Sequence, residues 1–325
     1  MRALVQQRYG RPSRVLSLRQ VEAPAIGDDG VLVRVVAASL NAMDWHLIMG
    51  RPMLARATTG LTRPKQVIPG TDLAGIVEAV GPAVTELGVG DAVFGGRDGA
   101  FADVVAGRAR NFVRKPASLG FAQAAALPIA GVTALQAVRD HGGLEPGETV
   151  LVLGAGGGVG SYAVQIAVAD GGHVTAVTGP ATMDLVQGLG AERVVSRTDV
   201  DRLPGRERFD LVIDAGGFAS SGQLGRLLSD RGRAVIVGAG DASSLGLVVA
   251  MAGARLRTAL GQRPLKNFIA RLTVEHLAML AALAERGALT PAIGATVGLE
   301  AVPAALDVLA EGRARGKTVV AIGAA

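Results

Sequence analysis

The sequence predicts an α/β protein in which a doubly wound parallel sheet of six strands is combined with a second, β-rich domain. Three observations carry this prediction. Residues 149–260 alternate continuous apolar runs with helical segments, which is typical of a parallel sheet covered on both faces. A glycine cluster follows the first of these runs. Residues 1–115 contain short apolar or alternating runs bounded by Gly, Pro and Asp.

The composition narrows the possible classes of protein. A chain of 325 residues suggests two domains, and 49% apolar with 19% charged residues excludes a disordered chain. Because there is no cysteine, disulfides, thiolate zinc sites, iron–sulfur clusters and a cysteine nucleophile are all excluded. The net charge is +5, but the basic residues are scattered and aromatics make up only 3% of the chain. We therefore do not expect a nucleic-acid partner.

Two uncharged stretches, Pro116–Val138 and Thr149–Ala169, are long enough to cross a membrane. Prolines interrupt the first stretch and the glycine cluster interrupts the second, so neither fits a lipid-facing helix. The first residues, Met1–Arg8, lack the apolar centre of a signal peptide. We expect a cytoplasmic protein that does not enter the membrane.

The predicted elements follow in chain order. In the β-rich part, one helix at Ala42–Gly50 interrupts five strands: Leu4–Gln6, Val31–Ala38, Leu73–Val80, Ala92–Gly95 and Phe101–Ala106. The parallel sheet takes the strands Thr149–Leu153, His173–Thr178, Arg193–Ser196, Phe209–Asp214, Ala234–Gly238 and Ala254–Leu260. Its helices are Gly158–Asp170, Thr182–Leu189 and Gln223–Ser229. The tail adds helices at Thr273–Arg286 and Leu299–Gly312 and a closing strand at Thr318–Ile322.

The glycine cluster predicts a dinucleotide site. Ala155, Gly157 and Gly160 occupy the three positions of G-x-G-x-x-G, with alanine replacing the first glycine, between a strand and a helix. Small residues are needed there because the backbone turns tightly and approaches a pyrophosphate, which the helix N-terminus attracts. The residues expected to seat the pyrophosphate are Gly154, Ala155, Gly157, Gly158, Val159 and Gly160.

The end of the second strand favours NADP(H) over NAD(H). An NAD-dependent enzyme needs a carboxylate there for the ribose 2′-hydroxyl, and no acid lies between Asp170 and Asp184. Thr178, at the end of the strand, and Arg197, past the third strand, are the candidates to face a 2′-phosphate. An exposed arginine without function is an equally good interpretation of Arg197.

Several sequence blocks resemble the medium-chain dehydrogenase/reductase superfamily, in its zinc-free quinone-oxidoreductase-like branch, which includes reticulon-interacting mitochondrial reductases. The blocks occur in the order and spacing of the family, at 38–46, 68–81, 90–95, 124–134, 189–192 and 312–317, together with the glycine loop. The resemblance implies a GroES-like domain at 1–118 and 261–325, a Rossmann domain at 119–260, and substrate bound in the cleft between them. It also implies a homodimer that pairs through the strand near Ala254–Leu260.

The resemblance also implies the site residues. Zinc-dependent members have a cysteine where Asn41 stands and a His–Glu pair where Thr71-Asp72 stands, so we expect no metal here. Asn41 and Thr71 are predicted to donate hydrogen bonds to the acceptor oxygen. Asn41 can instead bind the nicotinamide ribose, and the segment of Thr133 lies near the nicotinamide in the family. Gly238 and Ala239 are expected to flank the nicotinamide.

The proton donor stays open at this stage. Family members often have a tyrosine after the Asn-x-x-Asp motif, and Trp45-His46 stands there in this chain. His46 is one candidate proton donor and water is another. Asp44 is a candidate catalytic residue, but a carboxylate near a helix start commonly caps the helix.

The main hypothesis is an NADPH-dependent, zinc-independent oxidoreductase that transfers hydride to a quinone or an α,β-unsaturated carbonyl. Such acceptors delocalise the developing charge and need hydrogen-bond donors rather than a Lewis acid. One alternative is a non-catalytic NADPH-binding regulatory or RNA-binding protein with the same fold, because fold alone does not determine function. Another is an alcohol or aldehyde oxidoreductase of the same superfamily.

Overall fold

The computed structural model describes residues 1–202, 207–217, 219–237 and 264–324. The chain forms two compact units. The first contains Met1–Ile129 and Leu272–Ala325, and the second contains Ala130–Arg271. The domain boundaries predicted from the sequence, 118/119 and 260/261, stay predictions.

The described strands are numbered in chain order. They are β1 (Arg2–Gln6), β2 (Leu16–Gln20), β3 (Gly30–Ser39), β4 (Asp72–Val80), β5 (Ala92–Gly96), β6 (Val104–Arg108), β7 (Phe112–Arg114), β8 (Thr149–Leu153), β9 (His173–Thr178), β10 (Arg193–Ser196), β11 (Phe209–Asp214), β12 (Leu228–Ile236), β13 (Leu265–Asn267), β14 (Ile293–Gly298) and β15 (Lys317–Ala321).

The α-helices are short in the first half of the chain and longer in the second. They are Pro12–Val15, Ala42–Met49, Arg56–Thr59, Phe121–Ala126, Pro128–Leu135, Gly158–Ala169, Met183–Gln187, Ser221–Leu227, Val274–Glu285 and Val302–Ala310. A π-helical turn covers Gln136–His141, and 3₁₀ turns cover Met53–Ala55, Ala109–Asn111, Pro180–Thr182, Arg197–Arg202 and Leu299–Ala301. Among the described residues, no helix is long and apolar enough to cross a membrane.

The first unit is built on a seven-stranded sheet with the order β14-β15-β3-β4-β5-β7, in which β6 also pairs with β3. All of its pairs are antiparallel except β14 with β15. Strands β1 and β2 form a separate antiparallel pair. Because β15 pairs with β3, residues from the two ends of the chain meet in the middle of this sheet.

The second unit contains a six-stranded parallel sheet with the order β10-β9-β8-β11-β12-β13. Counted from the first strand of the unit, this order is 3-2-1-4-5-6, which is that of the dinucleotide-binding fold. The predicted α/β class and doubly wound sheet are therefore confirmed. Side chains such as Leu151, Val212 and Leu224 form its buried core.

Four strands of the parallel sheet have the predicted bounds, namely β8, β9, β10 and β11. The helix predicted at Gln223–Ser229 was wrong at its end, because the helix runs from Ser221 to Leu227 and Leu228 already begins β12. The start of the helix at Ser221 is fixed by a capping box, in which Ser220 and Gln223 exchange hydrogen bonds of 2.8 and 3.2 Å.

The predicted strand Ala254–Leu260 lies outside the described residues. The sixth strand of the described sheet is Leu265–Asn267. In the first unit, the strand predicted at Phe101–Ala106 runs from Val104 to Arg108, and the Phe101 N–H instead donates to the carbonyl of Pro69. The closing strand begins one residue earlier than predicted, at Lys317.

Candidate active site

The sheet register of the first unit brings an ammonium and a carboxylate together in the protein interior. The last residue of β3, Ser39, lies opposite the first residue of β4, Asp72. Lys317 begins β15, which pairs with β3 on its other side. Asp72 is 0% exposed and Lys317 is 2% exposed, and Nζ of Lys317 lies 3.6 Å from Oδ2 of Asp72. A buried ion pair of this kind needs further hydrogen bonds to offset the desolvation of both groups.

Both partners of the ion pair have those hydrogen bonds. Nζ of Lys317 donates to Oδ1 of Asn41 at 2.6 Å and to the carbonyl of Leu40 at 3.0 Å. Asp72 accepts from Nδ2 of Asn41 at 2.9 Å, from Oγ of Ser39 at 3.3 Å and from the N–H of Ile129 at 3.0 Å. Burial raises the pKa of Asp72 and lowers the pKa of Lys317, while their mutual attraction opposes both shifts. Asn41 links the two charges because each end of its amide bonds one of them.

Asp44 lies next to this ion pair, in the first turn of the helix Ala42–Met49. Asn41 precedes the helix in an extended conformation, and its N–H donates to Oδ2 of Asp44 at 2.8 Å. This bond belongs to a capping box and fixes the Asp44 carboxyl. The residue is 2% exposed. Burial is the main cause that raises the pKa of Asp44 to about 7, and the charge of Asp72 acts in the same direction.

A cavity of about 220 Å³ lies within the first unit and reaches this buried cluster. Its wall includes Asp44 and Thr71, together with Tyr9 and parts of the segments 58–59, 64–66 and 69–71. Oγ1 of Thr71 donates to Oδ1 of Asp44 at 3.4 Å. Gly70 precedes Thr71 with a φ of +93°, and a Cβ at Gly70 would lie 2.6 Å from the Phe101 ring, so this turn requires glycine.

The four predicted catalytic residues have different surroundings in the structure. Asp44 and Thr71 line the cavity. Asn41 is 7% exposed and bonds Lys317 and Asp72. The ring of His46 contacts the ring of Trp45 edge to face, with centroids 5.1 Å apart. Trp45 itself packs against the core of the unit. The predicted roles of these residues stay predictions.

Two residues of this site, Tyr9 and Lys317, were not predicted from the sequence. The Tyr9 hydroxyl donates to the carbonyl of Gly60 at 2.7 Å, and the Arg56 guanidinium lies 4.4 Å from the Tyr9 ring centroid. No local pattern around Tyr9 indicates that it lines a cavity. Lys317 did have a signal, since it is a lone charge at the start of an apolar strand.

The glycine loop of the second unit has the geometry of a phosphate site. Strand β8 ends at Leu153, Gly154 has a φ of +78°, and the helix Gly158–Ala169 begins after Gly157. A Cβ at Gly160 would lie 2.2 Å from the carbonyl oxygen of Gly154, and one at Gly156 would lie 2.2 Å from Oγ1 of Thr182. No side chain caps this helix, so its first N–H groups are available to an anion.

The other predicted cofactor residues have varied surroundings. Thr178 is 3% exposed, and its hydroxyl lies 2.6 Å from the hydroxyl of Thr182. Arg197 is exposed at the start of the 3₁₀ turn after β10. Thr133 is buried in the helix Pro128–Leu135. Gly238 and Ala239 lie outside the described residues.

Comparison with known proteins gives the family. The family model described as the alcohol dehydrogenase GroES-like domain matches residues 27–175, and the one described as zinc-binding dehydrogenase matches residues 189–320. A chloroplastic quinone-oxidoreductase of Triphysaria versicolor is 31% identical over 98% of this chain and 98% of its own length. A chloroplastic NADPH-dependent alkenal/one oxidoreductase of Arabidopsis thaliana is 34% identical over 67% of this chain and 58% of its own length.

The solved structure of the quinone oxidoreductase from Coxiella burnetii aligns with a TM-score of 0.84 at 26% identity, over 99% of both chains. The parallel sheet with its glycine loop and these similarities define an oxidoreductase of the class that uses a nicotinamide cofactor. The chain belongs to the medium-chain dehydrogenase/reductase superfamily, in its quinone-oxidoreductase-like branch.

The residues of this chain fit a dinucleotide but not a zinc ion. At the glycine loop, Gly156 and Gly160 allow the tight packing of the turn, and the uncapped N-terminus of the helix after it can receive a pyrophosphate. In the part of the chain that the structure describes, no group of three or more His, Cys, Asp or Glu side chains could hold a metal. The positions that carry ligands in zinc-dependent members hold an amide, Asn41, and a hydroxyl, Thr71, and an ammonium group bonds to Asn41.

Proposed function

We propose that the protein is an NADPH-dependent reductase that transfers hydride to a quinone or an α,β-unsaturated carbonyl without a catalytic metal. The observation that carries this proposal is the cavity wall of the first unit, where the Thr71 hydroxyl stands in place of a zinc ligand and the buried Asp44 carboxyl lies beside it. The names of the relatives, a quinone-oxidoreductase and an NADPH-dependent alkenal/one oxidoreductase, support the same acceptor classes.

The chemistry of such acceptors matches these residues. NADPH, when bound, supplies the hydride. A conjugated acceptor then develops negative charge on its oxygen, and this charge needs a hydrogen-bond donor rather than a Lewis acid. The Thr71 hydroxyl is the donor at the cavity wall, and the second N–H of the Asn41 amide is a further candidate. Thr133 is proposed to contact the nicotinamide from the second unit.

The preference for NADPH over NADH rests on the end of β9. That strand ends at Thr178 and is followed by Gly179, where an NAD-dependent enzyme carries an acid. The exposed guanidinium of Arg197 is available to a 2′-phosphate. Homodimer formation and a cytoplasmic location stay predictions, and light scattering of the purified protein would measure the former.

Oxidation of NADPH with a panel of acceptors tests the proposed function. The full chain is assayed with benzoquinone, cyclohexenone, a simple aldehyde and a simple ketone, each with EDTA or with added Zn²⁺. We expect turnover of the quinone or the enone that EDTA does not reduce. Turnover confined to aldehydes or ketones and dependent on zinc would contradict the proposal and favour an alcohol or aldehyde oxidoreductase.

A further inference from the structure

Asp44 is a buried carboxyl with one face toward the cavity. Its Oδ2 already accepts the N–H of Asn41, which holds the side chain in one orientation. Its Oδ1 lies 3.4 Å from the hydroxyl of Thr71, and both residues line the cavity. The Asp44 carboxyl, the Thr71 hydroxyl and the cavity are therefore next to one another.

The groups around Asp44 decide which of the two buried carboxyls holds a proton. Asp72 has the Lys317 ammonium at 3.6 Å and three hydrogen-bond donors, all of which favour its ionised form. For Asp44, burial is the main influence and the charge on Asp72 disfavours a second charge beside it; the Asn41 N–H, the charge of Lys317 and the Thr71 hydroxyl act in the opposite direction but are weaker, and the pKa of Asp44 is raised. Lys65 and Asp98 also line the cavity, but both side chains are exposed, so solvent screens the effect of their charges on Asp44. A neutral Asp44 beside a charged Asp72 is the arrangement that this geometry favours.

We propose that the Asp44 carboxyl supplies the proton that completes enone reduction, and that it passes this proton through the Thr71 hydroxyl. The proposal rests on the proposed function and names the proton source that the sequence left open. Hydride adds to the β-carbon of the enone and leaves an enolate. When Asp44 is neutral, its proton is on Oδ1, because Oδ2 accepts the Asn41 N–H; Oδ1 then donates to the Thr71 hydroxyl, which is free to donate to the substrate. Thr71 gives its hydroxyl proton to the α-carbon of the enolate and takes one from Asp44, which becomes a carboxylate and regains a proton from water. The balance is enone, NADPH and one proton giving saturated ketone and NADP⁺.

Tyr9, on the cavity wall, and His46, which is not among the residues that line the cavity, are less suited to this role. The Tyr9 hydroxyl already donates to the carbonyl of Gly60 at 2.7 Å. The His46 ring stacks edge to face on Trp45. Thr71 in turn is a relay rather than an acid, since a hydroxyl cannot supply a proton without receiving one. The pKa of Asp44, raised to about 7, is near the value at which a general acid works best at neutral pH.

The test compares four variants of the full chain with cyclohexenone and with benzoquinone between pH 5.5 and 9. Asp44→Asn keeps an oxygen for the Asn41 N–H but has no proton to give. Thr71→Val removes the relay, and Thr71→Ser keeps it. Asp98→Asn is the matched control, because it removes an exposed carboxyl from the same cavity. The quinone rate reports hydride transfer itself, since a hydroquinone oxygen takes its proton readily from water.

We expect kcat for the enone to fall about tenfold per pH unit above pH 7 in the parent chain, because only protonated Asp44 can donate. Asp44→Asn should lower this kcat by about 10²-fold or more and lose the alkaline limb, with a much smaller loss for the quinone. Thr71→Val should lose the alkaline limb as well, but it should lower the rates with both acceptors, because it also removes the hydrogen-bond donor to the acceptor oxygen. Thr71→Ser and Asp98→Asn should keep the limb.

In Asp44→Asn, an enone kcat equal to that of the parent chain with an unchanged alkaline limb would overturn the proposal, as would equal losses for the enone and the quinone in this variant. If Asp44→Asn does not fold, the pair Thr71→Val and Thr71→Ser decides, since a valine variant with full enone activity also overturns the relay. Failure of the proposed function looks different, because the parent chain would then reduce neither acceptor.

Discussion

Lys317 shows how much one residue contributes to this site. Its ammonium is almost completely buried, and it contacts Asp72, Asn41 and the carbonyl of Leu40. Without Lys317, the Asp72 carboxylate would remain in the interior with no counter-charge. A single side chain on the closing strand therefore holds together polar groups from β3, β4 and the segment before the helix Ala42–Met49.

Lys317→Met should lower the free energy of unfolding by about 3–5 kcal/mol, because it leaves a buried charge unpaired while its methylene chain is largely replaced. Urea unfolding of the full chain, followed by circular dichroism, measures the effect through the midpoint. The control is Lys266→Met on β13, where the lysine is exposed and a change below about 0.5 kcal/mol is expected. Equal midpoints for the two variants would show that the buried pair does not stabilise the fold.

At the scale of the element, the strand–loop–helix that begins with β8 contains one glycine that folding requires and another that matters for cofactor binding. Gly160 packs against the backbone of Gly154, so the fold has no room for a side chain at this position. At Gly157 the φ is −87°, and a Cβ would lie 3.4 Å from the nearest atom of the protein, so alanine is tolerated there. Gly157 nevertheless stands directly before the helix N-terminus, where a pyrophosphate approaches.

Gly157→Ala should therefore weaken NADPH binding by at least about tenfold while the melting temperature stays within about 2 °C of the parent chain. Gly160→Ala should lower the melting temperature as well, because a methyl group would overlap the Gly154 carbonyl. NADPH fluorescence titration and thermal unfolding monitored by circular dichroism measure the two effects. Unchanged affinity in Gly157→Ala would mean that the cofactor does not approach this loop.

The bounds of some strands can be predicted well from the linear sequence pattern, and those of others cannot. The bounds of β8 to β11 follow from continuous apolar runs, because strands buried on both faces have no polar positions inside. Strand Phe101–Ala106 was misplaced because the N–H of Phe101 donates to the carbonyl of Pro69, while its carbonyl accepts from Leu4 of β1, so Phe101 does not join the strand Val104–Arg108. Both partners lie more than thirty residues away along the printed sequence, and no local pattern reports them.

At the scale of the whole molecule, one of the two units is discontinuous along the chain and the other is continuous. The first unit takes its sheet from both ends of the chain, with β15 beside β3, while the second unit is continuous from Ala130 to Arg271. A ligand that binds only the folded chain stabilises it according to its concentration and affinity. The stability of the full chain therefore reports which dinucleotide the second unit prefers.

NADPH at about a hundred times its dissociation constant should stabilise the fold by about 2.7 kcal/mol, and NADH at the same concentration should stabilise it less. Arg197→Ala should reduce the difference between the two, because it removes the cation proposed for the 2′-phosphate. Thermal unfolding with each dinucleotide is the measurement. Equal shifts for NADPH and NADH would contradict the NADP preference, and an unchanged preference in Arg197→Ala would exclude that residue alone.

The sequence by itself determined the fold class, the parallel sheet, the glycine loop and the absence of cysteine ligands. These features are local, since periodicity, glycine spacing and composition each act within one stretch of chain. Only the tertiary structure showed that Asp44, Thr71, Asp72 and Lys317 form one buried cluster beside a cavity. Lys317 lies 245 positions beyond Asp72 in the printed sequence, and sheet pairing alone brings them together. Burial and charge coupling, which raise the pKa of Asp44, arise only from that assembly.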